Sequence, residues 1–207
     1  MTSVWEIDIS NTSILIIGNG QSVLQQKLGT LVDSFSTIGR INNYSTAEFK
    51  DYVGTQTHIW FNGANQKLKK RKHLPDRIVV LIPAEILRSK SDSIHQRITK
   101  RLGISSSNYE LASLDEMETW EQRCGIIRPT TGTTSIMWAM DRFDEVIIHG
   151  FDFFIDSKAH YNDQKWMNWL IQIGVIKKAS KHDMKSEKQF VGNLLSTGKI
   201  KKLSEYE

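Results

Sequence analysis

The feature that most constrains the fold is an apolar run that ends on two glycines. Ile14–Ile17 is continuously apolar, and Gly18-Asn19-Gly20 follows it directly, ahead of a segment compatible with a helix. In open α/β sheets, ligands bind beyond the carboxyl ends of the strands. Glycines let the backbone approach a ligand closely, and the amide of Asn19 can both donate and accept hydrogen bonds. The segment therefore predicts a first strand with a ligand site at its end; the alternative is a plain tight turn.

Apolar runs rich in β-branched residues alternate with helical patterns along the chain, which is typical of a mostly parallel sheet with helices on both faces. The predicted strands are Ser13–Ile17, Thr57–Phe61, Arg77–Ile82 and Glu145–His149, with Ser34–Ile38 as a further candidate. The predicted helices lie near Gln21–Leu28, Asp92–Leu102, Leu114–Arg123, Thr133–Arg142, Gln164–Ile173 and His182–Leu195. With 207 residues, we expect one α/β domain over 1–207, with a frayed polar tail over 198–207.

The composition is that of a globular protein in a reducing compartment. Hydrophobic residues make up 39% of the chain and charged residues 24%, and Cys124 is the only cysteine, so no intrachain disulfide can form. The opening segment Met1–Asp8 lacks the basic start and apolar run of a signal peptide. No stretch approaches the roughly 18 apolar residues that span a bilayer. These features predict a cytoplasmic protein without a transmembrane segment.

The net charge of +4 is concentrated in the basic clusters Lys67–Lys72, Lys177-Lys178 and Lys199–Lys202. Such clusters are usually solvated surface, and the alternative is attraction to an anionic partner such as a nucleotide, an acidic glycan or a lipid surface. Because the clusters contain no interleaved aromatic residues, we expect no nucleic-acid partner. Peripheral membrane contact through the clusters stays open.

A second place for a nucleotide is Pro129-Thr130-Thr131-Gly132, at the start of the helix predicted over Thr133–Arg142. Hydroxyl groups and a glycine at a helix N-terminus suit an anion, because the positive end of the helix dipole lies there. The alternative is ordinary capping of that helix by Thr131. The strand that follows, Glu145–His149, ends on Gly150, as the first strand ends on Gly18.

The last predicted helix has the form of a capping box, with Ser180 as N-cap and Asp183 closing back. His182 then falls in the first turn, where the helix dipole favours a neutral imidazole and Asp183 opposes that bias. Glu187 interrupts the inward apolar stripe Met184, Val191, Leu194 and Leu195. Since a buried, unpaired carboxylate is costly, we expect a partner for Glu187; the alternative is a half-exposed side chain.

A polar loop carries His160-Tyr161, and a histidine in such a loop is more often a surface residue than a catalyst. The sequence contains no His-x-x-x-His pattern and no paired cysteines, so we expect no metal site.

In order along the chain, these segments resemble the four sialylmotifs of glycosyltransferase family 29, the sialyltransferase family. Ile14–Phe61 is similar to the large motif, with matches at Ile16–Asn19, Gly39–Asn42 and Phe49–Thr57. Arg128–Phe151 is similar to the small motif, His160–Asp163 to motif three, and His182 with Glu187 to the very small motif.

The resemblance implies a single Rossmann-like, GT-A-like domain that transfers sialic acid from CMP-sialic acid to a hydroxyl of a glycan or glycolipid, with inversion and without a metal or other cofactor. It implies His182 as the general base, while His160 and Tyr161 hold or neutralise the phosphate. The donor would be bound by Gly18, Asn19, Gly20, Asn42, Thr130, Thr131, Gly132, Gly150, Phe151 and Tyr161, with Glu187 in support.

Departures from the family pattern leave alternatives for the donor and the activity. Phe143 stands where the small motif has a cysteine, and Gly20 and Thr130 stand where the family has serines. The alternatives are a transferase for another CMP-linked acidic sugar, such as Kdo, and a non-catalytic module that binds a nucleotide or glycan. A nicotinamide-dependent oxidoreductase is disfavoured, because Val23 stands where a dinucleotide fingerprint needs its third glycine.

Overall fold

In the computed structural model, residues 12–152 and 183–207 are described, and they contain one parallel sheet of seven strands in the order β5-β4-β3-β2-β1-β6-β7. The strands are β1 Ser13–Ile17, β2 Ile38–Ile41, β3 Ile59–Asn62, β4 Arg77–Val80, β5 Glu110–Leu111, β6 Glu145–His149 and β7 Lys201–Lys202. The α-helices are α1 Gly29–Asp33, α2 Lys50–Val53, α3 Ala84–Lys90, α4 Ile94–Leu102, α5 Leu114–Cys124, α6 Thr131–Met140 and α7 Met184–Ser196. The α/β class predicted from the sequence is confirmed.

The apolar run of β1 is explained by burial on both faces of the sheet. Ile14 and Ile16 face a core shared with helices α3 to α7, whereas Leu15 and Ile17 face a smaller core under α1, α2 and two 3-10 turns. Strands buried on both faces lose the alternation of polar and apolar residues. Because β2 lies on one side of β1 and β6 on the other, the strand order reverses at β1. At such a switch point the chain leaves a crevice beyond the strand ends.

Strand β2 lies over Ile38–Ile41, so the strand predicted over Ser34–Ile38 is wrong. The strand is difficult to predict from the sequence because it contains a charged residue, Arg40. The Arg40 side chain is fully buried, and its guanidinium donates to the carbonyl oxygens of Gln56 and Val53, at 2.9 and 2.6 Å. A buried charge that is hydrogen-bonded in this way is tolerated in a core strand.

Two other predicted elements differ in the structure. The helix predicted over Gln21–Leu28 is a 3-10 turn over Gln21–Leu24 followed by the short helix α1. The tail predicted to be frayed is ordered: β7 pairs with β6, and Leu203 is fully buried in the smaller core. Ile200 is also buried, so two apolar side chains anchor a segment whose composition is otherwise polar. The described residues contain no helix that is long and apolar enough to cross a bilayer.

We predict that Arg40→Met lowers the free energy of unfolding by about 3 kcal/mol, because it leaves buried carbonyl oxygens without their charged donor. Urea unfolding followed by tryptophan fluorescence measures the change. Lys100→Met, which removes an exposed cation from α4, is the control and should stay within about 0.5 kcal/mol of the wild type. A loss of less than about 1 kcal/mol in Arg40→Met would contradict this account of β2.

Candidate functional site

The loops that follow β1 and β6 are joined directly to each other. Gly18 N donates to His149 O at 2.8 Å, and Gly20 N donates to Gly150 O at 2.9 Å. A Cβ atom on Gly18 would lie 2.3 Å from Gly150 O. The absence of side chains here is therefore required by the contact between the two loops, whatever ligand the crevice holds.

Asp152, in the loop that follows β6, bonds the loop that follows β1. Its carboxylate accepts hydrogen bonds from Ser22 N, at 3.0 Å, and from the Ser22 hydroxyl. A Cβ atom on Gly20 would lie 2.3 Å from the Asp152 carboxyl carbon, so only glycine fits beside it. Sequence reasoning did not identify Asp152, because a single acidic residue after Gly150-Phe151 carries no recognisable pattern.

The two predicted asparagines lie at the ends of neighbouring strands. Asn19 is almost completely buried, and its Nδ2 donates to Ile41 O at 2.9 Å, which joins the end of β1 to the end of β2. Asn42 has a left-handed backbone with φ of 49°. Its Oδ1 accepts from Gly63 N at 3.2 Å. That contact orients the amide, and the two N–H donors on Nδ2 remain for a ligand.

The predicted segments around α6 are in contact with the same crevice. A Cβ atom on Gly63, next to Asn42, would lie 3.1 Å from Thr131 Oγ1. A Cβ atom on Gly132 would lie 3.2 Å from the Phe151 ring. The structure thus brings together Gly18–Gly20, Asn42, Thr130–Gly132 and Gly150-Phe151, as the sequence predicts.

Helix α6 is capped by Thr130, so the alternative of capping by Thr131 is wrong. The Thr130 hydroxyl accepts from Thr133 N at 3.3 Å. From α7, the carboxylate of Glu187 accepts from Thr130 N at 3.0 Å, from the Thr130 hydroxyl at 2.6 Å and from the Thr133 hydroxyl. Glu187 is fully buried, so the predicted partner is confirmed and the half-exposed alternative is wrong.

Glu187 occupies only part of the positive end of α6. It uses the groups of Thr130 and Thr133, and among the described residues no acceptor contacts the N–H groups of Thr131 and Gly132. Free N–H groups at a helix N-terminus bind anions well. Within this crevice they are the donors best suited to a phosphate or carboxylate.

A cavity of about 430 Å³ opens beside Gly150 and Phe151. Lys188 and Lys202 line the cavity and supply positive charge, and Ser22 supplies a hydroxyl group. His149 also lines the cavity, and burial lowers its pKa to about 4 despite the opposite effect of the Asp152 carboxylate. The imidazole is therefore neutral at pH 7, and the net charge of this lining favours an anionic ligand.

The predicted residues His160, Tyr161 and His182 lie outside the described residues. Helix α7 begins at Met184 with Asp183 as its N-cap, since the Asp183 side chain accepts from Ser186 N at 3.1 Å. The predicted start, with Ser180 as N-cap and His182 in the first turn, is therefore wrong. Asp183 is a better cap because its carboxylate bonds both the backbone and the hydroxyl of Ser186.

The family model of glycosyltransferase family 29 (sialyltransferase) matches residues 13–199, which is most of the chain. The chain belongs to this family. Its four predicted motif segments all fall within the matched range.

Two curated relatives are sialyltransferases. The rat (Rattus norvegicus) CMP-N-acetylneuraminate-beta-1,4-galactoside alpha-2,3-sialyltransferase is 23% identical over 92% of this chain and 57% of its own length. The human (Homo sapiens) CMP-N-acetylneuraminate-beta-galactosamide-alpha-2,3-sialyltransferase 1 is 24% identical over 90% of this chain and 56% of its own length. The chain therefore spans little more than half the length of these relatives.

Solved structures share the fold. A crystal structure of a mammalian sialyltransferase superposes with a TM-score of 0.65 at 18% identity, covering 93% of this chain and 69% of that one. A second, in complex with Gal-beta-1-3GalNAc-ortho-nitrophenol, has a TM-score of 0.65 at 19% identity with the same coverage. At this identity the likeness shows the fold alone.

Over residues 12–152 and 183–207, no group of three or more His, Cys, Asp or Glu side chains is arranged to hold a metal ion. Metal independence of this chain stays a prediction.

We predict that Glu187→Ala lowers the free energy of unfolding by about 3 kcal/mol, because three donors at the start of α6 lose their acceptor. Glu187→Gln keeps one carbonyl oxygen and should recover part of that loss. Gln189→Ala, an exposed site on the same helix, should stay within about 0.5 kcal/mol of the wild type. Urea unfolding compares the variants, and equal stability of Glu187→Ala and Gln189→Ala would contradict the capping role.

The low pKa of His149 predicts a loss of stability as the pH falls. The unfolded chain takes up a proton near pH 6.5, whereas the folded protein keeps His149 neutral down to a pKa of about 4. Since the unfolded state binds more protons between these values, the free energy of unfolding should fall by about 2 kcal/mol from pH 7 to pH 5.

Urea unfolding at pH 7 and pH 5 tests this contribution in the variant His149→Gln, which cannot take up the proton. The difference in stability between the two pH values should shrink by most of that amount. The exposed His73→Gln serves as the control and should behave as the wild type. Equal pH dependence in all three proteins would show that His149 is not responsible.

Proposed function

We propose that this chain transfers sialic acid from CMP-sialic acid to a glycan hydroxyl, with inversion at the anomeric carbon. The observation that carries the proposal is the meeting of two distant motif segments at one crevice. Gly18 and Gly20 bond the backbone after β6, and Gly63, which donates to Asn42, lies against Thr131 at the start of α6. Family membership and the names of the two curated relatives support CMP-N-acetylneuraminate as the donor. The two names print a beta-1,4-galactoside and a beta-galactosamide, so β-galactosides are the acceptors to test first.

The roles of the residues follow from their chemistry. Asn42 offers N–H donors, which suit the carbonyl oxygen of a cytosine or a ribose hydroxyl. The N–H groups of Thr131 and Gly132 suit the donor's carboxylate or phosphate. Glu187 keeps the first turn of α6 in place and does not contact the substrate in this assignment. Gly18, Gly20 and Gly150 let the two loops approach each other, and Phe151 packs beside Gly132.

The reaction we propose is a single displacement. His182 takes the proton of the acceptor hydroxyl, the acceptor oxygen forms a bond to the anomeric carbon, and the bond from that carbon to the phosphate oxygen breaks. CMP leaves with the bonding electrons, and His160 with Tyr161 balances the charge that develops on its phosphate. Stabilisation of that leaving group is the larger catalytic contribution. No metal or other cofactor takes part in this scheme, and we retain a cytoplasmic location as part of the proposal.

Incubation of the purified chain with CMP-Neu5Ac or CMP-Kdo, with and without a panel of β-galactosides, tests the function through release of free CMP. We expect release from CMP-Neu5Ac that requires an acceptor and persists in EDTA. Release from CMP-Kdo alone would change the donor. Binding of CMP without release from either donor would identify a non-catalytic module. Binding of NAD in a fluorescence titration would favour an oxidoreductase.

Substitution of His182 separates chemistry from binding. General-base catalysis contributes about 10²–10⁴ in rate, so His182→Ala should lower kcat by that factor. The dissociation constant of CMP, measured by calorimetry, should change little. Turnover close to that of the wild type would remove His182 from this role.

Asn42→Ala should weaken CMP binding by about tenfold, which corresponds to the loss of one or two hydrogen bonds. Asn193→Ala, which removes an exposed amide from α7, is the matched control and should leave CMP binding unchanged. Equal affinity of Asn42→Ala and the wild type would place the nucleotide elsewhere.

A further inference from the structure

One cation of the basic cluster Lys67–Lys72 is turned inward. The other charged side chains of this cluster are exposed, whereas Arg71 is half-buried. Its guanidinium carbon lies 3.4 Å from the centroid of the Tyr44 ring and 5.0 Å from that of Trp60. A guanidinium stacks on aromatic faces in this way, and a cation there is held more firmly than on an open surface.

Arg71 also bonds the backbone at the end of β2. Its Nη2 donates to Tyr44 O at 2.9 Å and to Asn42 O at 3.4 Å. The same chain segment is attached a second time through Asn43, whose Oδ1 accepts from Lys69 N at 2.8 Å and whose Nδ2 donates to Lys67 O at 2.9 Å. The basic segment thus binds three consecutive residues, of which Asn42 is the first.

Asn42 needs this support because of its backbone. Its φ of 49° lies in the left-handed region, which asparagine tolerates at some cost. Such a conformation persists when the surroundings determine it from several sides. Here Asn42 N donates to Phe61 O at 2.8 Å, and Asn42 O accepts from Trp60 Nε1 at 2.8 Å as well as from Arg71.

These bonds use the backbone N–H, the backbone carbonyl oxygen and Oδ1 of Asn42. Its Nδ2 is the one polar group that has no hydrogen-bond partner among the described residues. The direction of its N–H groups depends on the backbone that Arg71 holds. A small rotation at Asn42 would move both donors away from a ligand while leaving the sheet intact.

We propose that Arg71 is a positioning residue for the nucleotide: it acts through Asn42 and does not contact the donor. This inference rests on the proposed function, since it takes Asn42 as a nucleotide ligand. Lysine cannot replace Arg71, because an ammonium lacks the plane that stacks on Tyr44 and so fixes the position of Nη2 against the carbonyl oxygens of Asn42 and Tyr44. The lysines around Arg71 have no such role.

Calorimetric titration with CMP tests the proposal in Arg71→Lys, Asn42→Ala and the double variant, with Lys72→Ala as the control. Arg71→Lys should weaken CMP binding by about tenfold, the change expected when a hydrogen bond from a charged group is lost. Lys72→Ala removes the same charge from an exposed neighbour and should change the affinity by less than about twofold. In the transfer assay, Arg71→Lys should raise the KM for the donor and leave kcat within about twofold.

The double variant decides whether Arg71 acts through Asn42. If it does, Arg71→Lys adds no further loss once Asn42 is alanine, because coupled residues give non-additive effects. Additive losses would overturn the proposal while leaving the proposed function intact, as would wild-type affinity in Arg71→Lys. Arg71→Ala, whose unfolding temperature is measured alongside, should match Arg71→Lys in affinity if it folds.

Absence of CMP binding by the wild-type chain would instead overturn the proposed function, and this inference with it.

Discussion

The parallel pairing of β1 with β6 is the contact on which the rest of the site depends. It joins segments that are far apart in the chain: Ser22 and Asp152, which bond each other just beyond the two strands, are 130 positions apart. Because β2 lies on the other side of β1, the ends of three strands meet at one edge. Every residue assigned to nucleotide binding within the described part of the chain comes from those strand ends or from the start of α6.

Buried and half-buried charged side chains hold this edge in place. Arg40 satisfies backbone carbonyl oxygens beneath β2, Glu187 satisfies donors at the start of α6, and Asp152 satisfies those of Ser22. Each is a charged side chain that would be costly to bury without partners. Their bonds run between elements distant in the chain, so they fix the loops relative to one another. In the proposed function, the nucleotide is bound by groups that these bonds leave available, such as Nδ2 of Asn42 and the N–H groups of Thr131 and Gly132.

The parts of the fold that follow from local pattern were predictable from the sequence. The apolar runs of β1 and β6 stand out because both are buried on two faces, and a buried carboxylate at Glu187 had to have a partner. Strand β2 was missed because Gly39 and Arg40 interrupt its apolar run, and the partners of Arg40 come from residues 13 or more positions away. The inward turn of Arg71 could not be read from the sequence, since a run of cations is usually solvated and its aromatic partners lie elsewhere in the chain.

The mutual packing of the glycine loops has a consequence for how such domains diversify. Gly18 and Gly150 occupy the space that a side chain on either would need, since a Cβ atom on Gly150 would lie 3.2 Å from Gly18 O and 2.3 Å from Val23 Cγ1. The two loops therefore form one structural unit, although they lie far apart in the sequence. A chimera that takes only one of these loops from a distant homologue must therefore pair it with a loop already shaped to receive it.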